Sequence, residues 1–299
     1  MKTNATGFLI ICMVLMMLCP VCLDAALVIS PTDEGDVTIS SEYRSLCQGE
    51  IVKICLQSPV PISATLSLDG REYTFISDKD SLNYFTLIAL GLNIKPGTYS
   101  AVVHLESSRG VKKDVSFKLA VSGKTFSSKR IKVARRFTSL TPADIKRIKT
   151  EKELLGRIYG VSTPSWLADG RFIMPLKGKI TGTFGEKRVF NDNFVSRHRG
   201  IDIRSPKGYL SGLRTRESCS VPGSYFSGNT VIINHGIGLF SIYCHMSKSI
   251  VREGAFVDKG KIIGYTGSTG RSTGPHLHWG LRLVDNYADP LSIVYLFFD

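Results

Sequence analysis

Four of the six histidines fall in three short segments of the second half of the chain, close enough in pattern to do chemistry together. His198-Arg-Gly-Ile-Asp202 sets an imidazole and a carboxylate four residues apart. Four is an even step along a strand, so both side chains would leave the same face. A helix would align them too, but Gly200 and the β-branched Ile201 and Ile203 favour a strand. Gly274-Pro-His276-Leu-His278-Trp-Gly280 puts two imidazoles at i and i+2, again on one strand face. Ser241-Ile-Tyr-Cys-His245 supplies a fourth histidine on an apolar strand. Two imidazoles and one carboxylate, with a fourth position open, are the donor set of a catalytic zinc. Such an ion polarises a carbonyl and lowers the pKa of its bound water toward neutrality. The histidines left over can move protons and steady a tetrahedral oxyanion. His235, in an Asn-His-Gly turn, and His104, among strand residues with no second ligand nearby, read as structural.

The elements that must position these groups are mostly strands. From Trp166 onward the chain is glycine-rich and strand-like, with six turn glycines between Gly254 and Gly274. Gly260-Lys261 is followed by Ile262, so no phosphate-cradling loop forms there, and Asp258-Lys259-Gly260 reads as a plain β-turn. Residues 27–122 hold period-two runs at 37–40, 50–56, 64–70, 99–105 and 115–121, broken by Asp69-Gly70 and Pro96-Gly97. Their spacing predicts a small, Ig-like β-sandwich that folds on its own. Between the two parts, residues 123–165 carry a basic run (Lys124, Lys129, Arg130, Lys132, Arg135, Arg136) and then Thr141-Pro-Ala-Asp144. A capping Thr, Pro at the first helical position, and Ile145, Ile148, Leu155 and Ile158 at helical spacing predict a helix over 142–159. The expected architecture is therefore mainly all-β: an N-terminal sandwich, a connecting helix, and a C-terminal antiparallel domain over 166–299.

At the two histidine motifs the chain resembles the lysostaphin-type zinc metallopeptidases, which cut peptide bonds in bacterial peptidoglycan. The resemblance extends to Phe184-Gly-Glu-Lys-Arg188, Asn229-Thr-Val-Ile-Ile-Asn-His-Gly236 and Gly267-Ser-Thr-Gly-Arg-Ser-Thr-Gly-Pro-His-Leu-His-Trp279. It implies one zinc per chain held by His198, Asp202 and His278, with His245 and His276 as the two catalytic histidines. It also implies an antiparallel β core with an open groove, and peptidoglycan as the substrate. Cys244, beside His245, faces the other side of its strand and reads as packed. Some relatives lose metal ligands and act as binding modules or amidase activators; all five positions are present here, which favours an endopeptidase.

Charge and the leader set the surroundings. Lys and Arg exceed Asp and Glu by 38 − 25 = 13, an excess that favours an anionic partner. Residues 1–25 have a positive start, an apolar stretch and small residues after it, which predicts a secretory signal cut near Ala25 or Ala26. The apolar run from Gly7 to Leu23 is also at the short edge for an uncleaved anchor. Export to the periplasm or envelope makes a nucleic-acid partner improbable and leaves residues 124–136 to contact anionic wall polymer or a membrane surface. Three of seven cysteines fall in the leader; the rest contain no Cys-x-x-Cys pair, which excludes a cysteine zinc ribbon. Cys47 and Cys55 either pair in an oxidising compartment or remain as free thiols.

One stretch departs from the family pattern. After Gly208, relatives continue Pro-Val-x-Ala-x-x-x-Gly-x-Val as strand, turn and strand, whereas this chain reads Tyr209-Leu-Ser-Gly-Leu-Arg-Thr-Arg-Glu-Ser-Cys219, polar and without alternation. Permitted codons for these residues encode Pro-Ile-Arg-Ala-Ala-Asn-Ser-Gly-Ile-Val in another frame. A compensated frameshift between about Lys207 and Pro222 is the expectation, with loss of core strands and exposure of Cys219; the nucleotide sequence decides it.

Overall fold

A computed structural model describes residues 28–298 except 33–34, 78–81, 162, 169, 193, 205–208 and 212–214. The expected leader lies outside these residues. Among the described residues, no helix is long and apolar enough to cross a membrane.

Two antiparallel sheets face each other in the first part of the chain. One orders its strands Val28–Thr32, Gly35–Tyr43, Ile51–Gln57, Asn83–Ala89 and Ile76–Ser77; the other runs Arg71–Thr74, Ile62–Leu68, Gly97–Ser107 and Lys112–Val121. The period-two runs explain the core: Ala64, Leu66 and Leu68 point inward against Ala101, Val103 and Leu105, with Val115 and Leu119 beside them. Asp69 and Gly70 close the hairpin between Ile62–Leu68 and Arg71–Thr74 at φ 50° and 71°, the left-handed pair that a two-residue turn with native twist requires.

The strand Asn83–Ala89 is one that alternation does not announce. Tyr84 and Ile88 enter the sandwich core, while Phe85, Leu87 and Ala89 pack with Ile51 against Leu239, Leu281, Ile293 and Phe298 from the C-terminal part. A strand buried on both faces has no polar set to alternate with. An excised 27–122 segment would expose that second apolar face, so the expectation that it folds alone must reckon with a shared core. Ion pairs reinforce the contact. Arg44 lies 2.5 Å from the fully buried Glu50 and 2.7 Å from Asp289, and Lys124 lies 3.3 Å from Glu50. Lys53 donates to the Phe297 carbonyl at 2.6 Å. Lys124 is thus committed to a buried pair and leaves the basic surface, whereas Lys129, Arg130, Lys132, Arg135 and Arg136 are exposed.

Ser128–Ile131 joins the second half of the molecule by pairing in parallel with Lys187–Phe190, itself antiparallel to Phe194–Arg197. The helix spans Pro142–Tyr159, capped by a reciprocal Thr141–Asp144 box. Its docking face differs from the expected one: Ile145 is 56% exposed, and Leu154, Leu155, Ile158 and Tyr159 rest on Val221, Ile232, Phe240 and Ile242. Glu151 explains the register, because it accepts from the Ser224 hydroxyl and the Tyr225 amide and pins the helix by its middle.

The C-terminal sheet orders Lys179–Gly182, Gly200–Arg204, His276–Leu283, Leu239–Met246, Gly228–Asn234, Thr215–Ser224 and Ala255–Val257, with Asn286–Ala288 beside the histidine strand. Ile201, Ile203, Val231, Tyr243, Leu277 and Trp279 fill the core on one face. The expected loss of strands after Gly208 is overturned: Tyr209–Ser211 pairs with Ile262–Tyr265, and Thr215–Ser224 pairs with strands on both sides. Register shifts at Thr215/Ser218 and Val221/Ser224 interrupt the ladder, which is why no clean alternation is written there. The side chain of Cys219 lies outside the described residues. Cys47, Cys55 and Cys244 are free thiols, so the bridge between Cys47 and Cys55 is not formed. Burial pushes the Cys55 thiol up to about 12.

Candidate metal centre

Strand register brings the first two groups together. His276–Leu283 pairs with Gly200–Arg204 so that Asp202 stands directly opposite His278. Leu277 and Trp279 turn into the core and leave His276 and His278 on the other face. His198 arrives differently from the even-step expectation. It lies in the short connection between Phe194–Arg197 and Gly200–Arg204, not on the strand. Its amide donates to the Glu186 carbonyl at 2.9 Å and its own carbonyl accepts from Gly185 at 2.8 Å, which fixes the connection against the Thr183–Lys187 turn.

Three donor atoms converge. His198 Nε2 is 3.0 Å from Asp202 Oδ1 and 2.9 Å from His278 Nδ1, and the third side of the triangle is 3.1 Å. Zinc bonds of about 2.0–2.1 Å in a tetrahedron imply donor separations of roughly 3.3 Å, so a small expansion of this triangle fits the ion. The chemistry of the set fits as well. His198 donates Nδ1–H to the Thr183 carbonyl at 2.8 Å, which leaves Nε2 as a lone pair facing the triangle. Burial alone would raise the Asp202 pKa, but the His198 and His278 imidazoles beside it outweigh that and hold the group well below the usual carboxylate range. Burial lowers His278 to about 4, so its imidazole is neutral near pH 7.

Neighbours without donor atoms make the room. A β-carbon on Gly200 would lie 2.3 Å from the Trp279 carbonyl oxygen and 2.8 Å from the His278 ring. One on Gly182 would lie 2.6 Å from Asp202 Oδ2. That space is taken by Arg188, whose Nη2 donates to Asp202 Oδ2 at 2.6 Å while Nε donates to Glu186 at 2.8 Å. Arg188 and Gly200 lie within the sequence motifs, but neither announces its task at this site there. Their signal would have been a cation three residues after Gly185 and a glycine between two site residues.

His245 and His276 complete the cleft, their rings 4.8 Å apart. Each has its Nδ1–H fixed by a backbone carbonyl, Thr269 for His245 and Gly274 for His276, both at 2.8 Å. Nε2 is therefore the free acceptor of both rings, and that of His276 lies 3.7 Å from Asp202 Oδ1. Burial, with His276 and His278 nearby, lowers His245 to about 3. His245 also adopts φ 62°, a left-handed conformation unusual for a non-glycine residue and common where a site dictates backbone shape. His235 is away from the cleft, fully buried and bonded to Ser241 at 2.7 Å. His104 is a surface residue between Ser67 and Asp114. Cys244 packs among Ile232, Phe240 and Ile242, and burial raises its thiol to about 11.

An antiparallel sheet thus gathers two imidazoles and a carboxylate at one cleft, with two further imidazoles across from them, a donor set that could hold a metal ion. Residues 196–290 match the model of Peptidase family M23, and the C-terminal part of the chain is a lysostaphin-type M23 peptidase domain. The peptidoglycan DD-endopeptidase ShyA of Vibrio cholerae is 36% identical over 119 residues, 37% of this chain and 26% of that protein. The DD-carboxypeptidase/endopeptidase Mpg of Neisseria meningitidis is 40% identical over 101 residues, 32% of this chain and 22% of that protein. The chain thus spans about a quarter of the length of these curated relatives. A crystal structure of an M23 peptidase from Pseudomonas aeruginosa superposes with TM-score 0.60 at 23% identity, covering 84% of this chain and 95% of that one. It shares the fold.

Proposed function

We propose that the protein is an exported zinc metalloendopeptidase that hydrolyses peptide cross-links of peptidoglycan. The observation that carries the reading is the triangle of His198 Nε2, Asp202 Oδ1 and His278 Nδ1, open to a cleft that also holds His245 and His276. The M23 match and the endopeptidase names of the relatives support it. Residues 166–299 are read as the catalytic domain, 27–122 as a partner that restrains the cleft, and the exposed cations of 129–136 as a contact for anionic wall polymer or phospholipid.

His198, Asp202 and His278 would hold the zinc, which when bound supplies a Lewis acid and an activated water. The chain's own residues do the rest. Arg188 neutralises the outer oxygen of Asp202 and fixes its plane, leaving Oδ1 for the triangle. His245 and His276 present unprotonated Nε2 atoms to the cleft: the ring that takes a proton from the attacking water becomes an N–H donor, which steadies the oxyanion and hands that same proton to the leaving amine, while the other orients the water as an acceptor. The backbone carbonyls of Thr269 and Gly274 keep both rings in that tautomer. Zinc content and cross-link hydrolysis, measured on one preparation before and after chelation and zinc return, test the reading; activity indifferent to chelation would overturn it.

A further inference from the structure

The cleft contains a cation that the chemistry above does not use. Arg271 lines it together with His245, His276 and Asp202. Its guanidinium carbon sits 4.1 Å from the centre of the Phe190 ring, 4.5 Å from Phe226 and 5.3 Å from Phe194. Nη1 is buried and has no hydrogen-bond partner. No carboxylate among the described residues pairs with the side chain; its charged neighbour is another cation, Arg188, and burial with that neighbour lowers Arg271 to about 10. By contrast, Arg188 and Arg44 each bind two carboxylates.

The backbone ties Arg271 to the loop that fixes both cleft imidazoles. It lies between Thr269 and Gly274, the two residues whose carbonyls fix His245 and His276, and its own amide donates to the Phe226 carbonyl at 2.8 Å. Three aromatic faces keep the planar fork in one orientation, so little side-chain freedom is lost when an anion docks. A fork without a paired acid, packed among three rings in the same cleft as the imidazoles, is complementary to a carboxylate carried by the substrate.

We infer that Arg271 is a specificity residue that binds a free carboxylate next to the scissile amide. The inference rests on the peptidoglycan reading and narrows it. In a D-alanyl–diaminopimelate cross-link, the residue on the amine side bears a carboxylate on the carbon joined to the scissile nitrogen. A glycine bridge offers no such group. Arg271 therefore selects diaminopimelate-type cross-links, and selects the free acid over its amide.

The test compares wild type with Arg271→Gln and Arg271→Lys on two muropeptide dimers that differ only in whether that carboxylate is free or amidated. Wild type is expected to favour the free acid by about 10–100-fold in kcat/KM, the range for a charge-assisted bond, with most of the difference in KM. In Arg271→Gln that preference collapses toward one, and Arg271→Lys recovers part of it. Zinc content and melting temperature of each variant separate a distorted loop from a lost contact. Titration of the free-acid and amidated product peptides into wild type and Arg271→Gln gives a reading that does not require turnover. Equal loss on both substrates, or an unchanged preference in Arg271→Gln, would overturn the assignment. If wild type cleaves neither dimer, the peptidoglycan reading fails, and the titration still decides what Arg271 binds.

Discussion

Gly200→Ala adds one methyl group and should disable the metal centre. The added carbon would stand 2.3 Å from the Trp279 carbonyl oxygen and 2.8 and 2.9 Å from Cε1 and Nε2 of His278. Close carbon–oxygen contacts lie near ~3.3 Å, so about 1 Å of overlap must be relieved. The histidine strand cannot slide, because Leu277 and Trp279 are fully buried and Ile201 pairs opposite Trp279. Tilting the His278 ring or parting the two strands remains, and either one opens a triangle whose sides are 2.9–3.1 Å. Overpacking of this kind costs about 1–3 kcal/mol of stability. Displaced metal ligands lose roughly 10–100-fold in affinity. Zinc affinity is to be measured by competition with a chromophoric chelator, alongside a thermal melt. Gly156→Ala is the control, since a carbon there meets nothing within 4 Å and should add about 0.5–1 kcal/mol to the helix. Wild-type zinc affinity and turnover in a folded Gly200→Ala protein would refute the claim that this close approach positions His278.

His198→Ala and Asp202→Ala should empty the site, whereas His245→Ala and His276→Ala should keep zinc and lose about 10²–10⁴-fold in turnover; equal metal loss in both pairs, read by elemental analysis, would mean that the roles are exchanged. Burial lowers His235 from the ordinary histidine value of 6.5 to about 3. The unfolded chain therefore binds a proton between those values that the folded one refuses, and stability falls as pH drops through the window by up to about 1.4 kcal/mol per unit. Melts of wild type and His235→Gln should converge as pH falls from 7 toward 4; parallel curves would contradict this. Binding to sacculi through Lys129, Arg130, Lys132, Arg135 and Arg136 should weaken as salt rises, and retention indifferent to ionic strength would remove that contact.

Much of this was legible because strand periodicity is local. His276 and His278 are two apart on one strand, and Leu277 and Trp279 between and after them are apolar, so the face they share follows from the residues alone. The helix could be placed because Thr141, Pro142 and Asp144 write its start within four positions. What stayed hidden depends on contacts across the chain. Asn83–Ala89 is buried on one face by the local sandwich core and on the other by partners more than about 150 residues away, so it shows no alternation. The meeting of His198 with Asp202 comes from a bend held by Glu186 and Gly185, not from strand pleating. The pairing of Arg188 with Asp202 requires the space at Gly182, which no spacing rule encodes.

Digestion of purified diaminopimelate-type sacculi by the zinc-loaded protein, with the products identified by mass spectrometry, tests the central claim most directly. Cross-linked dimers should be converted to monomers by hydrolysis of one peptide bond, with wild type active and His198→Ala inert. Dimers left intact by wild-type protein carrying one zinc per chain would contradict it.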